Sequence, residues 1–255
     1  VTAGTTASVI NGKNGGPAAF RQAIIDANND SSINKIRFKR GLTVDLTGLM
    51  DAYEGSQNLT IDGRGSTISG AGYADPIELE GWAEALFVSQ SGADITLRRL
   101  NFVDSYGSGV AILIPEDTGG TVRVSLDKVQ IDGATFHGLL VDGQAFDGFN
   151  TDDVPHPGCL DPWFYDSRSS IALTVRASQI TNNGNLPDDY DTGGPFDPDD
   201  PPSSLTGCPA DFDGIRVDQG GEGSLTGNVL RTTVDGNLAD GLEYDETGPG
   251  DVIAT

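Results

Sequence analysis

Short apolar stretches recur along this chain in a set order: an alternating strand, an Asp or Asn with a Gly, a few further residues, then a glycine that opens a second apolar strand. The phrase runs from Phe102 to Gly109, from Ile131 to Gly138 and from Val234 to Gly241, with seven residue steps each time. The second strand reads Gly138-Leu139-Leu140-Val141-Asp142, then Gly214-Ile215-Arg216-Val217-Asp218, then Gly241-Leu242-Glu243-Tyr244-Asp245. The steps from Gly109 to Gly138 (29 residues) and from Gly214 to Gly241 (27 residues) set a unit just under thirty residues long. Strands this short bury nothing alone, so their apolar faces must be covered by the units above and below, and strands of successive turns then line up in parallel. The expectation is an all-β solenoid.

The turn residues fit that reading. Asp62-Gly63, Asp132-Gly133 and Asp235-Gly236 each follow an alternating strand directly, where such pairs bend a chain sharply. Gly109, Gly138, Gly214 and Gly241 precede the second strand, and a positive φ at a tight corner is expected of them.

Near the start the period changes. Phe20, Ala23, Ile24 and Ala27 fall at helical spacing, with Pro17 in the first turn and Asn28-Asn29-Asp30 at the end, so an amphipathic helix is predicted within residues 15–29. Its expected task is to cap an open solenoid end, which would otherwise expose core side chains and strand edges. Early strands follow at Ile36 to Phe38, Thr43 to Leu46, Leu59 to Ile61, Ile68 and Leu86 to Val88. From Ile95 the units settle into pairs: Ile95 to Leu97 with Leu100 to Phe102, Val124 to Leu126 with Val129 to Ile131, and Leu173 to Val175 with Ser178 to Ile180. Two insertions, residues 143–169 and 183–211, stretch the Gly138 to Gly214 step to 76 residues. Both leave one turn and are expected to be neighbours, and long loops on a rigid scaffold are where function is carried. Asp251 to Thr255 aligns with the first strand of a new unit. Residues 1–255 are expected to form one solenoid domain that continues further, or whose end is covered by a partner or a second copy.

Gly15-Gly16-Pro17-Ala18-Ala19-Phe20-Arg21-Gln22-Ala23-Ile24-Ile25-Asp26-Ala27-Asn28-Asn29, followed by Ile33-Asn34-Lys35-Ile36-Arg37-Phe38, resembles the opening of bacterial secreted and surface right-handed parallel β-helix proteins of the pectate-lyase-like solenoid superfamily. The resemblance covers about the first seventy residues, and Pro17-Ala18-Ala19-Phe20 stands where Ser-Leu is usual in that group. It implies a right-handed parallel β-helix and an extracellular or cell-surface address.

Charge narrows the partners. Asp and Glu number 38 against 15 Lys and Arg, a formal net charge of −23. Like charges repel within a Debye length of ~8 Å at physiological salt, so a polyanion must approach through bound cations or a local basic patch. Nucleic acid and anionic membranes are not expected partners. Nor is membrane insertion, since no stretch reaches the ~18 apolar residues a spanning helix needs, and no basic-plus-apolar leader is visible. The 36% hydrophobic content and 35 glycines suit a thin, extended core with many corners. The only cysteines, Cys159 and Cys208, sit one in each insertion. They are expected to pair and tie the loops together in an oxidising compartment; the alternative is two buried free thiols.

The first insertion gathers Phe149, Asp152, Asp153, His156, Trp163, Phe164 and Tyr165. Aromatics of this kind stack on sugar rings, and these residues form the expected ligand surface. Asn150-Thr151-Asp152-Asp153 is similar to the Asn-Thr-Asp-Gly stretch of polygalacturonase-like β-helix hydrolases, which implies paired carboxylates for leaving-group protonation and water activation. The Gly-His-Gly motif of that family is missing. The competing reading is a satellite core of aromatics with solvated acids.

The second insertion carries Asp188, Asp189, Asp191, Asp197, Asp199 and Asp200. Hard oxygen ligands at this density attract calcium; a solvated acidic loop is the alternative, and the EF-hand pattern is absent. Phe196-Asp197-Pro198 is similar to a stretch of alginate epimerases, but Asp199 replaces that motif's His. β-Helix lyases use an Arg or Lys base, for which Arg216, with Asp213 close by, is the site to consider. Leu140 and Glu243 are its expected equivalents in neighbouring turns, so an ion pair with nearby acids competes with catalysis. His137, beside Gly138, is too isolated to argue for either catalysis or a metal.

The leading expectation is an extracellular or bacterial cell-surface scaffold or adhesive protein whose paired insertions bind a glycan or a surface protein. The alternatives are a polysaccharide hydrolase or calcium-assisted lyase, and a subunit of a larger surface assembly that associates through its C-terminal end.

Overall fold

A computed structural model describes residues 5–9, 16–71, 85–143, 167–185, 212–246 and 249–255. The elements are β1 (Thr5–Val9), α1 (Pro17–Asn29), β2 (Ile33–Phe38), β3 (Thr43–Asp45), β4 (Leu59–Ser69), β5 (Ala85–Gln90), β6 (Ile95–Val103), β7 (Ser108–Leu113) and β8 (Thr121–Asp127). There follow β9 (Gln130–Asp132), β10 (Leu139–Asp142), β11 (Ser170–Arg176), β12 (Gln179–Thr181), β13 (Ile215–Gln219), β14 (Leu225–Leu230), β15 (Thr233–Asp235), β16 (Leu242–Glu246) and β17 (Val252–Ala254).

The protein is β-rich, with one helix among the described residues and two parallel sheets. A 12-stranded sheet runs β1-β2-β4-β6-β8-β11-β14-β17, with β3, β9, β12 and β15 paired beside that path. A five-stranded sheet runs β16-β13-β10-β7-β5. From β6 onward the chain alternates between the sheets, and each strand pairs in parallel with its counterpart one pass later.

In-register stacking builds the core. Ile36, Ile61, Leu97, Leu126 and Val175 stack in one column, and Val44, Ile68, Phe102, Ile131 and Ile180 in another. Phe87, Val110, Leu139 and Ile215 form a third column on the smaller sheet. All of these side chains are buried, and each contributes about 1.5–3 kcal/mol by leaving water. Polar residues stack in the same way: Asn183 Nδ2 donates to Asn237 Oδ1 at 2.8 Å, and the Ala134 amide donates to Asn183 Oδ1 at 3.1 Å.

Helix α1 buries Phe20, Ala23, Ile24 and Ala27, the face expected from the spacing, and packs against β1 and β2. Phe20 meets Phe38 at a ring separation of 5.2 Å. Neither that helix nor any other described segment is a helix long and apolar enough to cross a membrane.

Two stacked corners flank the three-residue strands. Arg99, Lys128, Ala177 and Arg231 take φ of 51, 58, 51 and 50°, and five residues later Asp104, Gly133, Asn182 and Gly236 take 51, 74, 54 and 68°. The Asp-Gly signals at 132–133 and 235–236 therefore mark real corners. Asp62-Gly63 instead precedes the other corner: it lies inside β4, where the register shifts and the left-handed residues are Arg64 and Gly65, at φ 55 and 80°.

Gly109, Gly138, Gly214 and Gly241 are corrected as well, since none of them has positive φ. At Gly109, Gly138 and Gly214 the glycine is set by close approach of the next pass, whereas a Cβ on Gly241 would find only ordinary contacts. A Cβ on Gly138 would lie 2.6 Å from the Gly214 carbonyl oxygen and 2.6 Å from Ile180 Cγ2, and one on Gly214 would meet Val234 and Gly241 in the same way.

Candidate functional site

The two insertions are anchored at opposite ends of one strand pair. The first leaves from Gly143, at the C-terminal end of β10, and returns at Ser167, whose amide donates to the Gly143 carbonyl at 3.2 Å. The second departs after Asn185 and returns at Phe212, just before the N-terminal end of β13. The amides of Gly184 and Asn185 donate to the Ala134 carbonyl at 2.9 and 3.0 Å. Because β10 and β13 are adjacent and parallel, the face carrying Leu140, Asp142, Arg216 and Asp218 lies between the anchors.

Arg216 organises that face. Its register partners are Leu140 on β10 and Glu243 on β16, as expected from the repeat. Nε donates to both Asp218 carboxylate oxygens at 3.1 and 2.9 Å, and Nη1 donates to Glu243 Oε2 at 3.2 Å and lies 3.6 Å from Asp213 Oδ2. The guanidinium side chain is only 17% exposed. A planar cation with several donors is suited to carboxylates at this density, and its charge-assisted hydrogen bonds offset part of their desolvation.

Asp142, Asp218 and Asp245 stand in register on β10, β13 and β16, at the strand spacing of about 4.8 Å. Burial pushes the Asp218 carboxyl up from 3.8 to about 6; Arg216 opposes this, and the charges of Asp245 and Glu243 add to it. The Asp218 carboxyl is therefore held well above the usual carboxylate range.

Behind the ion cluster the side chains hold backbone. The Asp213 amide donates to His137 Nδ1 at 3.0 Å, and the Asp240 amide donates to Asp213 Oδ1 at 2.9 Å. Each of these side chains accepts from the amide one pass later, in the position that precedes the glycine. His137 is fully buried, its ring edge-on to Phe212 at 5.5 Å, and Phe212 also meets Phe136 at 4.9 Å. Burial first, and then the Arg216 charge, lower its pKa from 6.5 to about 3, so the imidazole is neutral with its proton on Nε2. His137 is thus a structural acceptor.

Asp213, Asp240 and Glu243 each place an oxygen within 4.8 Å of the others, but the guanidinium of Arg216 already supplies the positive charge a cation would bring. Beyond Arg216 the same sheet turns apolar: Ala85, Val88, Ala111, Leu113 and Leu140 form a second buried cluster, with Ala52 packed on it.

Of the residues singled out in the sequence, Arg216 and Asp213 are brought together. Phe149, Asp152, Asp153, His156, Trp163, Phe164 and Tyr165 lie outside the described residues, as do Asp188, Asp189, Asp191, Asp197, Asp199, Asp200, Cys159 and Cys208. Asp218 and Glu243 were missed. The signal for Asp218 was the Asp that closes each five-residue unit, which register stacks into a column of like charge, and the signal for Glu243 was its equivalence to Arg216 one unit earlier. No family model matches the chain, and no curated protein or solved structure matches it.

Proposed function

We propose that this chain is a right-handed parallel β-helix acting as an extracellular or cell-surface scaffold or adhesive module, and that its two insertions form the surface that recognises a glycan or a surface protein. The observation that supports this most is that both insertions flank the single β10/β13 strand pair, the first closed by the Gly143–Ser167 bond just past β10 and the second leaving from Gly184 and Asn185, bonded to Ala134 in the turn before β10, and returning at Phe212 just before β13. The carboxylates and aromatics of the insertions would supply ligand contacts, with calcium bound through Asp188 to Asp200 as one route to an acidic sugar. Replacing residues 144–166 by a short Gly-Ser linker tests the reading, because the Gly143–Ser167 contact closes the gap. Cooperative unfolding should persist while binding to a glycan array and to bacterial surfaces is lost; undiminished binding would remove recognition from this loop.

One observation favours a second reading, cleavage of a polysaccharide: a carboxyl exchanging its proton at about pH 6 lies against an arginine and a further carboxylate, the acid–base pairing such chemistry needs. Incubation with a polysaccharide panel, with and without calcium, followed by assay of reducing ends and unsaturated sugars, decides it. Turnover abolished by Asp218→Asn or Arg216→Ala would establish the enzyme, and no turnover on any substrate would leave the cluster structural.

A further inference from the structure

A basic row runs along one corner of this strongly acidic molecule. Register places Arg99 beside Lys128, Lys128 beside Ala177 and Ala177 beside Arg231; Arg64 lies in the three-residue step of β4 that stands opposite Arg99, and Arg40 lies in the turn between β2 and β3, the strands that pair with the two halves of β4. Arg37, Lys39, Arg98 and Arg176 flank the row, and all nine cations are exposed. They are nine of the 15 Lys and Arg in the chain. Within the row and its flanking strand column the carboxylates are Asp62, paired with Arg99, and Asp127, paired with Arg176. Arg37, Lys39, Arg40, Arg64, Arg98, Lys128 and Arg231 make no ion pair among the described residues.

Backbone conformation gives the row a second, independent meaning. Arg64, Arg99, Lys128, Ala177 and Arg231 occupy left-handed φ of 50 to 58°, a region that a side chain with a Cβ adopts at a cost and where Gly, Asn and Asp are the usual occupants. The companion corner, five residues on, is filled in just that inexpensive way, by Asp104, Gly133, Asn182 and Gly236. The same fold thus solves one corner with the favoured residues and, at all but Ala177, sets long cations at the other. Strain retained at one of two equivalent positions points to a use for those side chains.

We propose that this corner binds a linear anionic polysaccharide, carboxylated or sulfated, lying along the stacking direction with its acidic groups matched to successive passes about 4.8 Å apart. Beside the cations stands an in-register row of hydroxyl and amide side chains, Thr67, Asn101, Gln130, Gln179 and Thr233, which suits sugar hydroxyls. No aromatic side chain stands in either row on which unpaired bases could stack, which disfavours single-stranded nucleic acid. The site stands apart from the insertions and does not depend on the function proposed for them.

The test uses Arg64→Gly/Lys128→Gly/Arg231→Gly, which removes three cations while giving each position the residue its φ favours. Polygalacturonate, dextran sulfate, neutral dextran and a duplex oligonucleotide are titrated at about 50 mM and about 150 mM salt, covering the range over which surface charge is screened. Wild-type protein should bind one or both anionic sugars and ignore dextran, and the loop-replaced protein lacking residues 144–166 should bind them equally well. The triple variant should bind about 10- to 100-fold more weakly, with its unfolding midpoint unchanged or higher. Equal binding by the triple variant, equal binding of dextran, absence of binding to both anionic sugars, or tighter binding of the duplex would each overturn the proposal.

Discussion

At the residue scale, glycine does two different jobs in this chain, and the difference is measurable. Gly138 is required by the pass stacked beside it: an added Cβ would lie 2.6 Å from the Gly214 carbonyl oxygen, and backbone cannot yield as a flexible side chain can. Gly241 opens the same five-residue unit, yet a Cβ there would find Val234 Cγ1 at an ordinary 3.5 Å. Gly138→Ala should therefore cost about 1–3 kcal/mol or more, whereas Gly241→Ala should fall within about 0.5 kcal/mol of wild type; urea denaturation of the two proteins separates them, and equal losses would contradict the contact. The buried titrating groups make a second prediction. His137 stays neutral in the fold down to about pH 3, against 6.5 when unfolded, so stability is lost as pH falls below 6.5. Asp218 holds its proton in the fold up to about pH 6, against 3.8, so stability is lost as pH rises from 3.8 to 6. Across that window the two slopes oppose each other. Asp218→Asn removes one of them, and its stability relative to wild type should rise with pH between 4 and 6, by about 1.4 kcal/mol per unit at most. A pH-independent difference would mean that Asp218 does not carry the proton.

At the element scale, the ion cluster joins β13 to β16 and to the turn before β13, and one residue holds it. Removing the cation with Arg216→Leu matches the Leu140 found one pass earlier but leaves Asp218, Glu243 and Asp213 facing one another. The expected loss is about 3 kcal/mol, larger at pH 8 than at pH 5, where Asp218 takes a proton; chemical denaturation at the two pH values checks this, and a loss independent of pH would remove the carboxylates from the account. Much of this architecture is legible in the sequence, because helix and strand periods are local. The α1 face, the paired short strands and the equivalence of Leu140, Arg216 and Glu243 all follow from spacing. Strand β1 carries no such alternation, and β4 reads as two strands because Gly63-Arg64-Gly65 interrupts it. The role of Gly109, Gly138 and Gly214 is illegible for another reason: a glycine needed for clearance looks the same in sequence as one needed for positive φ. The basic row was hidden by the unequal chain lengths between passes, since register aligns Lys128 with Ala177 and Ala177 with Arg231 only after the insertions are set aside.

At the scale of the whole molecule, a net charge of −23 coexists with a corner holding most of the cations, and salt should act on the two in opposite directions. Self-repulsion among 38 acidic side chains opposes the compact state and is screened by added ions. A polyanion on the basic row gains its attraction from the same unscreened field and competes with those ions. Raising sodium chloride from about 20 mM to about 500 mM shortens the Debye length from roughly 20 Å to roughly 4 Å. The thermal unfolding midpoint should then rise, while retention on a polygalacturonate or dextran sulfate column falls. In Arg64→Gly/Lys128→Gly/Arg231→Gly, with a net charge three units more negative, the midpoint should climb more steeply with salt than in wild type, and retention should be weak from the outset. These two responses are coupled through the same three side chains. A variant that lost retention but kept the wild-type salt response of its midpoint would show that the corner's field does not reach the rest of the fold, and one that kept retention would place the bound polymer elsewhere.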